Sequence, residues 1–100
     1  MRVEWTRSAI ADLAGIYEYI AKDSPRYALT VIDRLTKRTE QIGLFPYSGE
    51  SVPEYANAQI REVIEYSYRL IYLVDTDAIF VLAVVHGAKL LPDSPPPLES

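Results

Sequence analysis

The sequence predicts an α+β fold in which an N-terminal strand and an antiparallel helical hairpin precede a three-stranded antiparallel meander, in the order β-α-α-β-β-β. Two observations lead to this prediction. Apolar residues recur at steps of three and four between positions 10 and 42, which is the period of amphipathic helices. After position 58 they form runs rich in β-branched and aromatic residues, which favour strands. We expect the hairpin to pack on one face of the sheet, because each layer must bury its apolar side.

The N-terminal segment predicts a short strand, VEW at 3–5, followed by a helix over about 7–22. Thr6 suits the N-cap, since its hydroxyl can accept a hydrogen bond from a free amide of the first turn. The expected apolar stripe of this helix consists of Ile10, Leu13, Ala14, Tyr17, Ile20 and Ala21.

A second helix is predicted to begin at Ser24-Pro25, because serine caps helices well and proline is tolerated at the first helical position. Gly43 suits the left-handed residue that follows a helix. The short link between the helices predicts an antiparallel hairpin. The expected stripe of the second helix consists of Ala28, Leu29, Ile32, Leu35, Thr39 and Ile42.

Residues 44–58 contain two prolines and a glycine and show no periodicity, so they predict a loop. A loop of this length in a compact domain is more often functional than not. We expect Phe45 and Tyr47 to anchor it to the core.

Three later runs predict the strands of the meander: QIREVIE at 59–65, SYRLIYLV at 67–74 and AIFVLAVVH at 78–86. Tyr66-Ser67 and Asp75-Thr76-Asp77 mark the two reversals. The run at 78–86 is almost wholly apolar, which indicates a central strand or one covered on both faces.

The strand end VVHGAKLLP contains the only histidine of the chain. We expect His86 to share a face with Phe80, Leu82 and Val84, and Gly87 to let the backbone turn. Leu90 and Leu91 would then fold back and cap the core.

One hundred residues fit a single domain, predicted over 1–92, with a flexible proline-rich tail at 93–100. The absence of cysteine excludes disulfides and thiolate zinc sites. No spacing suggests another metal site, so we expect neither metal nor cofactor. The N-terminus has neither a signal peptide pattern nor a membrane-spanning run, which predicts a soluble, cytoplasmic protein without a membrane partner.

The charge distribution argues against direct nucleic-acid binding. The net charge is −4 and the pI about 4.9, whereas nucleic-acid binders usually carry an excess of Lys and Arg. Basic residues concentrate between positions 22 and 38. Four of these, Arg26, Arg34, Lys37 and Arg38, are predicted to bind an acidic partner surface, although an ordinary solvated helix face is the alternative.

The segments FPYSGESVPE, IREV, YRLIYLV and VVHGAKLLP, in this order after a hairpin with Ser-Pro at its turn, resemble the RelE/ParE superfamily of bacterial type II toxins over residues 2–92. VPE and HG-x-x-LLP are most similar to the ParE branch, often called plasmid stabilisation proteins. This resemblance implies a toxin that a cognate antitoxin neutralises. The ParE branch implies inhibition of DNA gyrase without catalysis, and the RelE branch implies ribosome-dependent cleavage of mRNA.

By the same resemblance, a ribonuclease would use Arg69 and His86, with Glu54 or Glu50 as the carboxylate and Arg61 as a further cation. The sequence places few cations near them to stabilise a phosphorane, since it has no lysine between positions 39 and 88.

Arg69 has a structural alternative, in which it pairs with Glu54, Glu62 or Glu65 and holds the long loop against the sheet. We therefore expect a ParE-like inhibitor of DNA gyrase that is not an enzyme. The alternatives are a ribosome-dependent endoribonuclease and a degenerate toxin that keeps only antitoxin binding.

Overall fold

The structure is a computed structural model that describes residues 1–98, in which a helical hairpin covers one face of a mixed five-stranded sheet. The elements are β1 (Arg2–Trp5), α1 (Arg7–Ala21), α2 (Pro25–Leu44), β2 (Glu50–Ser51), β3 (Ile60–Glu65), β4 (Tyr68–Val74) and β5 (Ala78–His86). Their order across the sheet is β1-β5-β4-β3-β2, with β1 parallel to β5 and the other pairs antiparallel. The predicted fold class is confirmed, and the two-residue strand β2 is an addition to it.

The two predicted caps begin the helices. The Ala9 amide donates to the Thr6 hydroxyl over 3.2 Å, and the Tyr27 amide donates to the Ser24 hydroxyl over 3.1 Å. Thr6 is buried and its hydroxyl also donates to the Val81 carbonyl over 2.9 Å. This cap therefore ties the start of α1 to β5 and fixes the rotation of the helix against the sheet.

The packed stripe of α1 differs from the predicted one. Ala9, Leu13, Ile16 and Ile20 contact the core, whereas Ile10 is 55% exposed. Ala14 is exposed as well. Both sets of residues have helical spacing, so periodicity alone could not choose between them. The attachment of Thr6 to β5 selects the stripe that is buried.

The second helix buries Ala28, Val31, Leu35 and Ile42, whereas Leu29 lies outside the packed stripe and is exposed.

The prediction that Gly43 ends α2 in a left-handed conformation is wrong, because the helix continues through Gly43 to Leu44 and no glycine has a positive φ. The Gly43 carbonyl accepts a hydrogen bond of 2.6 Å from the Met1 amino group. A Cβ at this position would lie 3.0 Å from the Met1 carbonyl oxygen. Glycine here allows the N-terminus to lie against the end of the helix.

A β-bulge interrupts β5. Tyr72 lies opposite Val81, whereas Ile71 lies opposite Ala83, so Leu82 is the extra residue. The bulge shifts the alternation of side chains by one position along the second half of the strand.

The bulge determines which face of the sheet His86 occupies. Val81 before the bulge and Val84 after it both pack in the core under the hairpin. His86 therefore lies on this side, which we call the hairpin face, together with Val84. The predicted grouping of His86 with Val84 holds, whereas its grouping with Phe80 is wrong, because the extra residue changes the alternation between Phe80 and His86.

The opposite side, which we call the loop face, has a core of its own. Val52 and Tyr55 are buried there against Ile60, Ile71 and Ala83. These two residues anchor the loop that joins α2 to β3.

Phe45 and Tyr47 do not anchor that loop, as the sequence had predicted, since they are 63% and 56% exposed. Both residues come before β2, the edge strand of the sheet, whereas the residues that pack on the loop face come after it.

After β5 the chain also covers the loop face. Leu91 packs on this second core and the Tyr55 hydroxyl donates to the Pro92 carbonyl over 3.0 Å. The prediction that Leu90 caps the core is wrong, because Leu90 is 91% exposed. Gly87 turns the chain without a positive φ.

Residues 93–98 contain no helix or strand, and residues 99–100 lie outside the described part. The flexible tail at 93–100 and the domain boundary at residue 92 stay predictions. No helix within 1–98 is long and apolar enough to span a bilayer.

Two glycines provide a test of this packing. A Cβ on Gly49 would lie 2.5 Å from the Glu62 carbonyl oxygen and 2.6 Å from the Tyr72 hydroxyl. We expect Gly49→Ala to lower the free energy of unfolding by about 1–3 kcal/mol. A Cβ on Gly15 in α1 would meet nothing within 4 Å, so Gly15→Ala should raise it by about 0.5–1 kcal/mol. Urea unfolding followed by circular dichroism measures both, and equal stabilities would contradict the packing described.

Candidate functional site

Arg69 of β4 is the most constrained ionisable residue of the loop face. It is only 9% exposed, and all three of its nitrogens donate to carboxylates. Nε donates to Glu62 over 2.6 Å, while Nη1 and Nη2 donate to the two oxygens of Glu54 over 2.8 Å each. A fork-to-fork contact of this kind is the strongest geometry for an arginine and a carboxylate. Of the three partners that the sequence offered for Arg69, Glu54 and Glu62 both bind it.

These hydrogen bonds determine the charge states of the network. The bonds from Arg69 lower the pKa of Glu54 to about 2. The hydrogen bonds from Arg69 to Glu54, followed in size of effect by the one to Glu62, raise the pKa of Arg69 above its ordinary value. Two carboxylates thus surround one guanidinium, and each of its three nitrogens donates to one of them.

His86 lies on the opposite side of the sheet from Arg69. Arg69 is opposite Val85 in the register, and His86 follows Val85, so its side chain points to the hairpin face. The imidazole contacts the Tyr68 ring edge-on, with 5.9 Å between centroids. Its Nδ1 accepts a hydrogen bond of 3.2 Å from the Ala88 amide. The two residues proposed for RNA cleavage are therefore separated by the thickness of the sheet.

Arg61 and Glu50 lie near the β2 edge, away from both residues. Arg61 donates to the Gly49 carbonyl from Nε and Nη2 over 3.1 and 2.8 Å, and its guanidinium lies 5.3 Å from the centroid of the Tyr47 ring. Glu50 of β2 lies directly opposite Glu62 of β3 in the backbone register of the two strands. Of the candidate catalytic residues, the structure brings together only Arg69 and Glu54. Within residues 1–98 no three His, Asp or Glu side chains form a group that could hold a metal ion.

A groove of about 750 Å³ opens on the hairpin face between α1 and the ends of β4 and β5. We call it the hairpin groove. Ala11, Gly15 and Tyr19 line it along α1, and Gly15 leaves open space where a side chain would stand. Its other lining residues include Ile16, Val31, Val84, Tyr27, Tyr66, Tyr68, His86 and Lys89.

A backbone hydrogen bond orients the one carboxylate of the hairpin groove. The Asp12 carboxylate accepts a hydrogen bond of 2.8 Å from the Val84 amide. Burial raises the pKa of Asp12, which this hydrogen bond and nearby Lys89 only partly offset. Burial likewise raises the pKa of Tyr68, so its phenol stays a hydrogen-bond donor. The groove combines apolar walls with a few oriented polar groups, as binding sites for other molecules do.

Tyrosines gather at one end of the hairpin groove. Tyr66 has a φ of 55°, and the Tyr27 ring contacts it edge-on with 6.4 Å between centroids. Arg34 lies over the Tyr66 ring at 5.6 Å. The hairpin groove was not predicted from the sequence. The spacing of Ala11, Gly15 and Tyr19 could have indicated it, because it puts two small residues and one large one on a single exposed stripe of α1.

The predicted basic patch on α2 is partly neutralised. Arg34 and Arg38 both approach Glu65 of β3, at 3.7 and 3.2 Å, and Lys37 pairs with Asp33 at 3.1 Å. Arg26 has no ion pair among residues 1–98. Partner binding by these four cations stays a prediction.

A family model described as the ParE toxin of the type II toxin–antitoxin system parDE matches residues 3–91. The chain belongs to the ParE toxin family. It is also similar to "Toxin RelE2" of Caulobacter vibrioides, with 31% identity over 90 residues that span 89% of this chain and 98% of that protein. The chain is therefore a toxin of the RelE/ParE type II superfamily, which confirms the resemblance seen in the sequence.

Two solved structures share the fold of this ParE-family chain. One is a chromosomal ParDE toxin–antitoxin system from P. aeruginosa, with a TM-score of 0.71 and 22% identity, covering 86% of this chain and 95% of that one. The other is the RelBE2 toxin–antitoxin complex of Mycobacterium tuberculosis, with a TM-score of 0.55 and 22% identity over 85% and 95%. At this identity the likeness establishes the fold.

The arginine network predicts a pH-dependent loss of stability. Glu54 has a pKa of about 2 in the folded chain, against an ordinary value of 4.5. Its contribution is therefore complete above about pH 4.5 and is lost as the pH falls toward 2. We expect Glu54→Gln to be less stable than wild type at pH 7, with a difference that shrinks as the pH falls through this window.

Urea unfolding at pH 7, 4 and 3 measures this difference. Glu50→Gln is the matched control, because Glu50 is exposed and has no ion pair within residues 1–98. A difference between Glu54→Gln and wild type that is constant from pH 7 to pH 3 would count against the network.

Proposed function

We propose that this ParE-family toxin inhibits its target by binding and not by catalysis, that the target is DNA gyrase, and that a cognate antitoxin neutralises it. The arrangement of Arg69 and His86 carries the non-catalytic part of this proposal. One is enclosed by two carboxylates on the loop face, and the other lies on the hairpin face.

Cleavage of RNA through its 2′-hydroxyl needs a base, an acid and cations within hydrogen-bond reach of one phosphate. Glu54 and Glu62 would repel a phosphate that approached Arg69, and releasing the guanidinium would leave Glu62, whose side chain is only 12% exposed, without its partner. No tyrosine follows Tyr72 in the sequence to act as a general acid or base. The net charge of −4 opposes binding to nucleic acid as a whole.

Gyrase as the target is supported by membership of the ParE family, because the resemblance to the ParE branch implies gyrase inhibition. The name of the Caulobacter relative, Toxin RelE2, favours ribosome-dependent mRNA cleavage as the second candidate.

The hairpin groove is the surface we assign to the antitoxin. The two solved relatives are toxin–antitoxin systems by their titles. An amphipathic helix of a partner can place apolar side chains between α1 and the sheet, where Gly15 leaves space, and its polar groups against the tyrosines at the end of the groove.

The catalytic and the binding proposals predict different biochemistry. We expect the purified toxin to inhibit supercoiling by DNA gyrase and to leave ribosome-bound mRNA intact. His86→Ala should change the inhibitory concentration by no more than about twofold, because His86 is exposed and plays no catalytic part in this proposal. Supercoiling assays and primer extension on translated mRNA measure the two activities. Cleavage of mRNA that His86→Ala abolishes in a folded protein would establish the ribonuclease instead.

The groove proposal predicts that filling the space beside Gly15 blocks the antitoxin. We expect Gly15→Leu to weaken antitoxin binding at least about tenfold, because the new side chain occupies the groove. Gly15→Ala is the matched control and should have a smaller effect. Calorimetry with the protein encoded by the adjacent reading frame measures the affinity. Binding that is equal for wild type and Gly15→Leu would place the antitoxin elsewhere.

A further inference from the structure

The turn at residues 44–47, which begins at the last residue of α2, presents large apolar side chains to solvent. Leu44, Phe45 and Tyr47 are 74%, 63% and 56% exposed. No other stretch of four residues in the described chain exposes three large apolar side chains. We call it the apolar turn.

The backbone of the apolar turn is held by hydrogen bonds to a buried side chain. Tyr72 is fully buried, and its hydroxyl donates to the Pro46 carbonyl over 2.7 Å and accepts from the Gly49 amide over 3.1 Å. The Ser48 amide donates to the Phe45 carbonyl over 3.0 Å, which closes the turn. The side chains are therefore presented by a rigid backbone, so little conformational entropy is lost when a partner binds them.

Arg61 holds the last side chain of the apolar turn. Its guanidinium lies over the Tyr47 ring, and its N–H groups are directed at the Gly49 and Ala58 carbonyls. Because these oxygens occupy the guanidinium, Arg61 offers little to a phosphate. The chemistry of the surface suits a protein partner and not a nucleic acid.

The size of the apolar turn indicates what kind of protein it would bind. Its three side chains expose roughly 400 Å² in total, on the basis of about 150–250 Å² for an aromatic side chain. A stable interface buries about 800 Å² on each partner, so two turns packed against each other would not hold two copies together, and a target that receives the turn in a pocket must also contact the surface around it. Rigid aromatic and aliphatic anchors of this size fit a pocket on a larger partner.

The apolar turn is well separated from the hairpin groove. Tyr27, at the end of the groove, and Leu44 are at opposite ends of α2, about 25 Å apart along a helix of this length. A partner helix in the groove therefore need not cover the turn.

We propose that the apolar turn is the surface by which the toxin engages its cellular target, a folded protein with an apolar pocket that receives Leu44 and Phe45. This proposal rests on the proposed function as an inhibitor that acts by binding. It assigns the target and the antitoxin to different surfaces of one toxin.

The test replaces the two exposed anchors with Leu44→Gln and Phe45→Ser together and leaves the contact between Arg61 and Tyr47 in place. Leu29→Gln is the matched control, since it removes a leucine that is 61% exposed on the same helix. Each full-length toxin is expressed in a bacterial host without antitoxin, and growth arrest is measured. Binding to the protein encoded by the adjacent reading frame is measured by calorimetry, and the thermal midpoint reports folding.

We expect the double variant to need at least about tenfold more toxin for growth arrest, while its antitoxin affinity stays within about twofold of wild type. Leu29→Gln should arrest growth as wild type does. Growth arrest by the folded double variant equal to that of wild type overturns the assignment. So does a parallel loss of antitoxin binding in a folded protein, which would make the turn an antitoxin surface.

Two further outcomes separate this inference from the proposed function. A wild-type chain that does not arrest growth overturns both proposals. Arrest that proceeds through cleavage of ribosome-bound mRNA, and that the double variant abolishes, overturns the assignment of a protein pocket, because the partner is then RNA on the ribosome.

Discussion

The burial of one arginine in the central part of the sheet organises the loop face of this protein. A guanidinium that is 9% exposed has lost most of its hydration and needs carboxylates in compensation. Glu62 of the neighbouring strand supplies one carboxylate, and Glu54 of the loop supplies the other. Because Glu54 must reach Arg69, the next residue, Tyr55, is brought onto the same face, where it is buried and bonds to Pro92. One charge thus fixes both the loop and the chain that leaves β5.

The same network also covers much of one face of the sheet. A fold of this type has two sheet faces, and here the loop, the C-terminal segment and the arginine network occupy one of them. The hairpin groove of about 750 Å³ opens on the other face, and it has apolar walls and only one lysine among its lining residues. Few cations in this groove face a bound molecule, and apolar walls of this kind suit the side chains of a protein partner, as our proposal of an inhibitor that acts by binding requires.

Local signals in the sequence predicted the elements well, because caps, turns and periodicity depend on residues that are close in the chain. Thr6 and Ser24 cap the helices where expected, and the reversals at 66–67 and 75–77 join the expected strands. The errors involve distant partners. The bulge at Leu82 depends on β4 and puts His86 and Phe80 on different faces, and the contact with the N-terminus explains Gly43. From the sequence, Glu54, Glu62 and Glu65 were all candidate partners of Arg69, and only the fold shows which of them reach it. The hairpin groove could not be predicted, because it depends on how α1 packs against β4 and β5.

Leu44, Phe45 and Tyr47 are exposed, although Phe45 and Tyr47 were predicted to anchor the loop to the core. Large apolar residues after a helix are ordinarily expected to anchor a loop, since burying each one is worth about 1.5–3 kcal/mol. In this chain the three side chains stay exposed. The hydroxyl of the fully buried Tyr72 nevertheless bonds to the backbone of the turn, and Arg61 lies over the Tyr47 ring. These hydrogen bonds satisfy the buried Tyr72 hydroxyl and at the same time hold the turn in one conformation. On our proposal the benefit of this rigid presentation lies in the complex with the target, where the apolar side chains are buried with little further loss of conformational entropy.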